Sequence, residues 1–266
     1  MPILHAPILE QAGFVKGALE AFTPLSLFSN GEDGIWFDPS DLSTLYQDSA
    51  MTIPVTSDGD PIGGIRDKSG NNNHATQVTT SARPTYRTDG TLHWIEFDGS
   101  NWLTMNQFIT GTNDRSFVAG YQSDKPSGES FLFDACNRVG SGAGEGWGLS
   151  SEVENFFVRV NGFASFSPPQ VLNSVNVITV EFGLSLGGSV NDTRVRLNGE
   201  QVLLSNGSDT AVDTRVAGSS FLGSSSASTS NLDGRMFSVI STNSLLSTPT
   251  KLDVEGYTAK KTGVAL

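Results

Sequence analysis

The stretch "DTRVRLNGEQVLL" (residues 192–204) carries the clearest fold signal in the chain. Short runs that contain β-branched residues lie on both sides of Asn198-Gly199, and each run is typical of a strand. Asn-Gly between two such runs is the strongest short-range hairpin signal, because both residues accept the positive φ angles of a two-residue turn. The stretch therefore predicts an antiparallel hairpin.

The same kind of run recurs along residues 31–247. Each run is short, β-branched or aromatic, and bounded by Gly, Asn, Asp or Ser, which favours strands over helices. Closely spaced strands without intervening helices are typical of a sandwich or jelly roll. We therefore predict an all-β fold, a two-sheet antiparallel jelly-roll sandwich, with further strands at 34–38, 91–97, 101–105, 115–121, 130–134, 155–160, 174–182 and 234–240.

The end of the chain has the pattern of a helix. Thr248 can act as its N-cap and Pro249 suits the first helical position. Lys260 and Lys261 complement the helix dipole in the last turn, and Gly263 is a plausible stop. A C-terminal helix should therefore accompany the strands.

Residues 1–30 form an apolar leader with helical periodicity between Pro7 and Pro24. A short helix that contains Gly13 and Gly17 is marginal in water and needs a partner surface. One interpretation is a helix that packs on its own domain. The other is an attachment arm that docks onto another subunit or a larger assembly through one stripe of side chains, Ile8, Ala12, Val15, Leu19 and Phe22.

The excess of acidic over basic residues indicates which classes of partner the chain is suited to bind. The chain has 266 residues, with 16 Lys and Arg against 28 Asp and Glu, and a formal charge of −12. Such an acidic protein lacks the basic patch that binds phosphate backbones, so we expect no nucleic-acid partner. No run of apolar residues is long enough for a membrane span, and the N-terminus lacks the features of a secretory signal. We therefore expect synthesis in a cytoplasm.

Five motifs in order resemble the laminin-G-like jelly roll of the concanavalin A-like lectin/glucanase superfamily. They are "RDKSGNNNHAT" (66–76), "WIEFDGSNWLTM" (94–105), "TRVRLNGEQV" (193–202), "DGRMFSVIS" (233–241) and "VEGYTAKKTG" (254–263). The resemblance extends from about residue 31 to residue 264, so the expected division is an arm at 1–30 and a jelly-roll domain at 31–266. It implies two packed antiparallel sheets and a carbohydrate- or protein-binding role.

The segment at residues 34–77 further resembles a version of this domain found in bacteriophage and prophage virion proteins. This implies a virion structural protein, made in the host cytoplasm and located at the virion surface as a capsid decoration, a head fibre or a tail-associated protein. The implied partners are other virion proteins through the arm, a host surface glycan and further copies of the chain in a homo-oligomer. The alternative is an autonomous carbohydrate-binding or glycan-cleaving protein of the same superfamily.

The first motif has two interpretations. Asp67, Ser69, Asn71 and Asn73 alternate as the early oxygen ligands of a calcium loop do, with Asp98 and Asp60 as candidate acids from elsewhere. The spacing is not that of an EF-hand, because Gly70 stands at position 4 rather than 6 and Val78 replaces the glutamate at position 12. The other interpretation is a tight turn, in which Asn and Asp bond their own backbone. Ca²⁺ is therefore a candidate cofactor, and His74 is expected to bond the loop backbone.

Catalysis is not expected from the sequence. Glycosidases of the wider superfamily carry E-x-D-x-x-E, whose acids share one face of a strand. This chain has Glu96 and Asp98, but Asn101 stands where the last glutamate belongs. Glu152 and Glu154 lack a third acid in register. We therefore expect a protein that is not an enzyme.

A ligand contact is expected at Trp147. It lies in the glycine-rich segment "GSGAGEGWGLS" (140–150), next to Glu145. The apolar face of a sugar stacks on an exposed aromatic ring while polar neighbours bond its hydroxyls. Trp36, Trp94 and Trp102 lie in strand-like runs and are expected in the core.

Overall fold

The computed structural model describes residues 22–106, 113–125, 129–134, 147–152, 155–160, 163–166, 173–187, 192–205, 219–225 and 230–266. These residues form short 3-10 helices, of which the first is Pro24–Phe28, a single α-helix and eighteen strands. The strands are Gly34–Phe37 (β1), Leu45–Tyr46 (β2), Gly64–Ile65 (β3), Ala75–Thr76 (β4), Thr85–Thr88 (β5), His93–Asp98 (β6), Leu103–Asn106 (β7), Arg115–Ser123 (β8), Glu129–Asp134 (β9), Trp147–Glu152 (β10), Asn155–Val160 (β11), Phe163–Phe166 (β12), Val175–Phe182 (β13), Arg194–Leu197 (β14), Glu200–Val202 (β15), Leu204–Ser205 (β16), Ser219–Leu222 (β17) and Asp233–Thr242 (β18), and the helix is Thr248–Thr262 (α1).

The strands assemble into two sheets, which confirms the predicted all-β antiparallel sandwich. Within the described residues, sheet A has eight strands in the order β15-β14-β13-β8-β18-β6-β5, with β1 also paired to β18. Sheet B has ten strands in the order β16-β12-β11-β10-β9-β17-β7-β4-β3-β2. Neighbouring strands such as β8 and β13 pair antiparallel. The strand order is that of a jelly roll rather than a meander of consecutive strands, because hydrogen-bonded neighbours such as β8 and β18 lie far apart in the chain.

The main hydrophobic core lies between the two sheets. Alternate residues of each strand enter this core, since successive side chains of a strand point to opposite faces. Sheet A contributes Phe117 from β8 and Val180 from β13, and sheet B contributes Leu103 and Phe133. Burial of each such side chain contributes about 1.5–3 kcal/mol to stability.

A second core covers the outer face of sheet A. Helix α1 contacts β8, β13 and β18, and its Val254 packs with Val118 and Val177 of the sheet. Leu27 and Phe28 of the first 3-10 helix belong to the same cluster, and Phe22 packs against it. Residues 22–30, which the sequence grouped with the arm, are therefore in contact with the sandwich. The other four predicted arm residues, Ile8, Ala12, Val15 and Leu19, lie outside the described residues.

Local sequence signals placed the hairpin and the helix correctly. Asn198 and Gly199 join β14 to β15 with φ angles of 49° and 82°, which confirms the predicted two-residue turn. The helix ends at Gly263 in the left-handed region, also as predicted, but its N-cap is Ser247 rather than Thr248. The Ser247 hydroxyl accepts the hydrogen bond from the Thr250 amide, so the cap begins one residue earlier than the sequence indicated. None of the described helices has the length and apolar character needed to cross a membrane.

Candidate functional site

A cleft lies beside the start of α1, over the outer face of sheet A at its β13-β14-β15 edge. Its volume is about 400 Å³, which is in the range of small-ligand sites. Charged and polar side chains predominate in the lining, together with one large apolar residue. The lining includes Glu181, Arg194, Arg196, Gln201, Thr248, Lys251 and Leu252.

The strand register brings the sheet residues of the cleft together. Ile178 and Val180 enter the main core, so Thr179 and Glu181 point to the opposite, outer face. In the pairing of β13 with β14, Thr179 lies opposite Arg196 and Glu181 lies opposite Arg194. Alternation and register together therefore place two arginines next to a threonine and a glutamate.

Glu255 of α1 anchors one side of this arrangement. Its carboxylate accepts hydrogen bonds from Arg196 Nε at 2.8 Å and Arg196 Nη2 at 3.1 Å, and from the Thr179 hydroxyl at 2.8 Å. The Glu255 side chain is only 1% exposed. The hydrogen bonds that Arg196 donates to Glu255 raise the pKa of the Arg196 guanidinium, which stays charged. The pair therefore fixes the Arg196 side chain at the cleft.

Glu181 anchors the other side. One of its carboxylate oxygens accepts from the Leu246 amide at 3.2 Å, and the other forms an ion pair with Lys251 Nζ. The Glu181 side chain is 3% exposed, so its carboxylate is held between the sheet and the first turn of α1. This contact places Lys251 against the strand rather than in solvent.

The cleft also presents groups that have no partner among the described residues. Arg194 is exposed and forms no hydrogen bond or ion pair with any residue in the described part of the chain. Leu252 is 54% exposed at the rim. A ligand would therefore meet a free guanidinium, the amide of Gln201, the hydroxyl of Thr248 and one apolar surface. Such a mixture suits a polyhydroxylated ligand.

The predicted calcium residues divide between two places. Asp67 Oδ1 accepts from the Trp36 and Ser69 amides, both at 2.9 Å, and Oδ2 accepts from the Asn73 amide at 3.0 Å and the Ser69 hydroxyl at 2.7 Å. The side-chain amides of Asn71 and Asn73 donate to the Gly34 carbonyl. The loop is thus bonded to β1.

These contacts favour the turn over the metal interpretation. Both Asp67 oxygens already accept two hydrogen bonds, which a Ca²⁺ ion would have to displace. Asp98 does not join the loop, because its carboxylate bonds Ser100 instead. Across the described ranges, no group of three or more His, Cys, Asp or Glu side chains is placed to hold a metal ion. His74 Nδ1 accepts from the Asp67 amide at 3.0 Å, as predicted for a backbone contact.

Glu96 and Asp98 line a separate acidic cleft at one end of sheet A. This cleft has a volume of about 220 Å³ and also contains Asp124 and Asp233. Glu96 pairs with Arg87 at 2.6 Å. Partial burial, together with the charges of Asp124 and Asp98, raises the pKa of the Asp233 carboxyl. The E-x-D segment is an outward-facing part of β6, with Glu96 half-buried and Asp98 exposed.

The closing E-x-Y motif has a structural role in this chain. Glu255 binds Arg196 and Thr179 as described above. The Tyr257 hydroxyl donates to Asp38 Oδ2 at 2.8 Å, and Lys261 Nζ lies 3.0 Å from the same oxygen. The two motif residues thus attach α1 to sheet A and to the loop after β1, respectively.

The predicted sugar contact involves Trp147 and Glu145. Glu145 lies outside the described residues, and Trp147 is the first residue of β10. The sequence prediction for this pair therefore stays a prediction. Of the other tryptophans, Trp36 is 7% exposed and belongs to the second core.

The residues of the cleft were not identified from the sequence. A signal was present, because Thr179 and Glu181 alternate with apolar residues in β13, as Arg194 and Arg196 do in β14. Such alternation shows that two pairs share a face. It does not show that Lys251 and Leu252 of a helix beginning more than fifty residues later cover that face.

Comparisons with known proteins support the fold. No protein-family model matches the chain, and no curated protein matches its sequence. A structure of a GH54 α-L-arabinofuranosidase soaked with a cyclic sulfate inhibitor is similar, with a TM-score of 0.62 and 14% identity, over 90% of this chain and 66% of that chain. A Trypanosoma rangeli sialidase is similar with a TM-score of 0.52 and 12% identity, over 88% of this chain and 33% of that chain.

A third similar structure matches this chain over almost its whole length. It is Domain 4 of AbnA, a GH43 extracellular arabinanase from Geobacillus stearothermophilus, in complex with arabinotriose. The TM-score is 0.53 and the identity 10%, over 88% of this chain and 99% of that chain. This chain therefore spans no more than about two thirds of the arabinofuranosidase and sialidase chains but nearly all of the arabinanase domain.

These matches contradict the expectation that the chain is not an enzyme. The arabinofuranosidase and sialidase structures contain this fold, so the fold occurs in glycan-cleaving proteins. Because Asn101 stands where the last glutamate of E-x-D-x-x-E belongs, the chain lacks that one arrangement of catalytic acids. Other arrangements of carboxylates are not excluded by this substitution. The matches thus show a β-sandwich fold that is also present in the structures of glycan-cleaving enzymes, while none of the three descriptions concerns a virion.

Proposed function

We propose that this chain is a carbohydrate-binding β-sandwich whose ligand occupies the cleft between α1 and sheet A. The observation that carries the proposal is the cleft itself, in which two paired carboxylates hold charged donors in place beside the polar side chains of Arg194, Gln201 and Thr248. The similarity to a domain solved with arabinotriose supports the choice of carbohydrate as the ligand class.

The geometry matches what a sugar requires. Hydroxyl groups of a sugar need fixed donors and acceptors, and its C–H face needs an apolar contact. Arg194, Gln201 and Thr248 supply the donors, and Leu252 supplies the apolar contact. Because Arg196 and Lys251 are already held by Glu255 and Glu181, these two side chains lose little entropy when a ligand binds.

A glycan array followed by titration calorimetry tests this proposal. We expect the full chain to bind a defined set of oligosaccharides, and Leu252→Ala to weaken that binding about tenfold through loss of apolar contact. The matched control is Leu25→Ala, because Leu25 is 51% exposed and lies on the first 3-10 helix outside the cleft. Folded protein that binds no glycan, or equal losses in both variants, would contradict the proposal.

Glycan cleavage is a second candidate function. The observation that favours it is that two buried carboxylates, Glu181 and Glu255, both bond residues of the cleft, and glycoside hydrolysis uses a pair of carboxyl groups. Release of 4-nitrophenol from 4-nitrophenyl α-L-arabinofuranoside and related aryl glycosides tests it. We expect Glu181→Gln to abolish turnover while the protein remains folded. A wild-type chain that binds glycans but cleaves none would exclude this candidate and leave the binding proposal intact.

Attachment to a virion is a separate hypothesis that rests on the sequence resemblance alone. It concerns residues 1–21, since Phe22, Leu27 and Phe28 pack on the sandwich. A chain that lacks residues 1–21, rather than 1–30, is therefore the appropriate variant. If the arm drives assembly, light scattering should show a larger particle for the full chain than for the shortened one. Equal sizes would contradict an arm that drives self-assembly.

A further inference from the structure

The cleft gathers three cationic side chains of an acidic protein. The chain carries a formal charge of −12, yet Arg194, Arg196 and Lys251 all line the cleft beside Glu181. Glu255 and Glu200 also lie near Arg196, so an anionic group would be attracted by whichever cation is not already paired.

Internal pairing leaves one of these cations free. Arg196 is bound to Glu255, and Lys251 is bound to Glu181. Arg194 lies directly across from Glu181 in the strand register, but Glu181 already bonds Lys251 and the Leu246 amide. Among the residues that the structure describes, Arg194 has no acceptor. Its guanidinium, which is always charged, therefore faces the cleft edge with its donors unused.

We propose that Arg194 recognises a carboxylate on the bound sugar, so that the ligand of this cleft is an acidic glycan. The inference rests on the proposed carbohydrate-binding function and specifies its ligand class. A guanidinium donates two parallel hydrogen bonds to a planar carboxylate, and this fit exceeds what a lysine provides. Gln201 and Thr248 are then available for hydroxyl groups, and Leu252 for the apolar face of the ring.

The test compares acidic sugars with their own methyl esters. An array would carry oligogalacturonates, glucuronate-containing oligosaccharides and sialyl-terminated oligosaccharides beside the methyl ester of each, and calorimetry would follow the strongest pair. We expect the acid to bind about tenfold or more tightly than its ester, because the ester removes a charge-assisted hydrogen bond. The preference should weaken as salt rises, because Arg194 is exposed.

Variants at Arg194 separate recognition from folding. Arg194→Gln should abolish the preference for the acid, so that the acid and its ester bind equally, while Arg194→Lys should retain part of the preference. The control is Arg66→Gln, which removes another exposed arginine outside the cleft and should change neither affinity.

Each outcome has a defined meaning. Equal binding of acid and ester would overturn this inference and leave the carbohydrate-binding proposal in place. A preference for sulfated neutral sugars over uronates or sialosides would also overturn the carboxylate assignment. Folded protein that binds no sugar of any kind would overturn both the inference and the proposed function.

Discussion

Glu255 of α1 and Arg196 of β14 form a bidentate ion pair, with N–O distances of 2.8 and 3.1 Å. The Thr179 hydroxyl of β13 donates to the same carboxylate at 2.8 Å. The pair therefore ties the helix to two neighbouring strands at once. This contact holds α1 over sheet A and keeps the adjoining cleft in shape.

Removal of the Glu255 carboxylate should destabilise the protein. We expect Glu255→Ala to lower the free energy of unfolding by about 3 kcal/mol, because it leaves a partly buried guanidinium without its partner. Urea titration measures the loss. Glu200→Ala is the matched control, since Glu200 is exposed on β15, and it should change stability by less than about 0.5 kcal/mol. Equal effects of the two variants would show that the buried pair does not anchor the helix.

The Asp67 loop should depend on its hydrogen bonds rather than on a metal ion. Asp67→Ala leaves the Trp36 and Asn73 amides without their acceptor, and we expect a loss of about 3 kcal/mol in unfolding free energy. The melting temperature of the wild-type chain should be the same with Ca²⁺ and with a chelator. A melting temperature that falls on chelation would instead support the calcium interpretation.

The Asp38 carboxylate should stabilise the protein in a pH-dependent way. Burial alone would raise its pKa, but hydrogen bonds from Ser40 and Tyr257 and the charge of Lys261 outweigh burial and hold the pKa of Asp38 below its usual value. A lowered folded-state pKa gives stability that is present above the unfolded value of about 3.9 and lost as pH falls through the folded value.

We therefore expect Asp38→Asn to be less stable than the wild-type chain at pH 7 and to approach it as the pH falls below about 4. Urea titrations over this range measure the difference, with the exposed Asp253→Asn as the control. A difference that stays constant from pH 7 to pH 3 would mean that the ionised form of Asp38 is not the stabilising one.

The acidic cleft should show the opposite pH dependence at Asp233. Partial burial, with the charges of Asp124 and Asp98, raises the pKa of this carboxyl, so ionisation costs stability as the pH rises through the folded-state value. We expect Asp233→Asn to stabilise the chain at pH 7, by less than about 1 kcal/mol because the group is partly exposed. The gain should disappear below about pH 4, where the wild-type carboxyl is protonated.

Thermal melting of the Asp233→Asn variant and the wild-type chain at pH 7 and at pH 3.5 measures this effect. The control is Asp48→Asn, since Asp48 lies outside the acidic cleft. Its carboxylate accepts hydrogen bonds from the Thr52 and Ile53 amides, so this substitution should destabilise the chain. A destabilised Asp233→Asn variant at pH 7 would contradict the repulsion described here.

The β14–β15 turn should not accept a side chain at its second position. Gly199 has φ of +82°, and a Cβ atom there would lie 3.5 Å from Leu266, so space is adequate and the backbone angle decides. We expect Gly199→Ala to cost about 1 kcal/mol, because L-residues disfavour positive φ. Gly256→Ala in α1 is the control, where nothing lies within 4 Å of the added Cβ and helix propensity should raise stability. Equal stability of Gly199→Ala and the wild-type chain would contradict the strained turn.

The longer strands could be predicted from the sequence because each contains a run of apolar or aromatic residues that is typical of a strand. The apolar run of β13 and the aromatic run of β9 indicate strands without reference to any partner. The two-residue strands β2, β3 and β4 could not be predicted in this way. Such short segments become strands because of the neighbours they pair with, and no periodicity fits within two residues.

Only separate parts of the candidate site could be predicted from the sequence. Glu181 and Lys251 lie 70 residues apart, and Glu255 and Arg196 lie 59 apart. Local patterns can show that Arg194 and Arg196 share a face, but the choice of partner depends on how α1 packs across the sheet. The first motif illustrates the same limit, since the spacing of Asp67 and Asn73 fits both a metal loop and a turn.

The sequence by itself determined the hairpin at Asn198-Gly199, the end of α1 at Gly263 and the acidic charge of the chain. These features depend on backbone preferences and composition, which neighbouring residues express directly. The packing of the folded chain alone decides that Glu255 binds Arg196, that Tyr257 binds Asp38 across 219 residues, and that Arg194 has no partner among the described residues. Hydrogen bonds and ion pairs act over a few ångströms of space, so their partners are fixed by sheet register and helix packing rather than by distance along the chain.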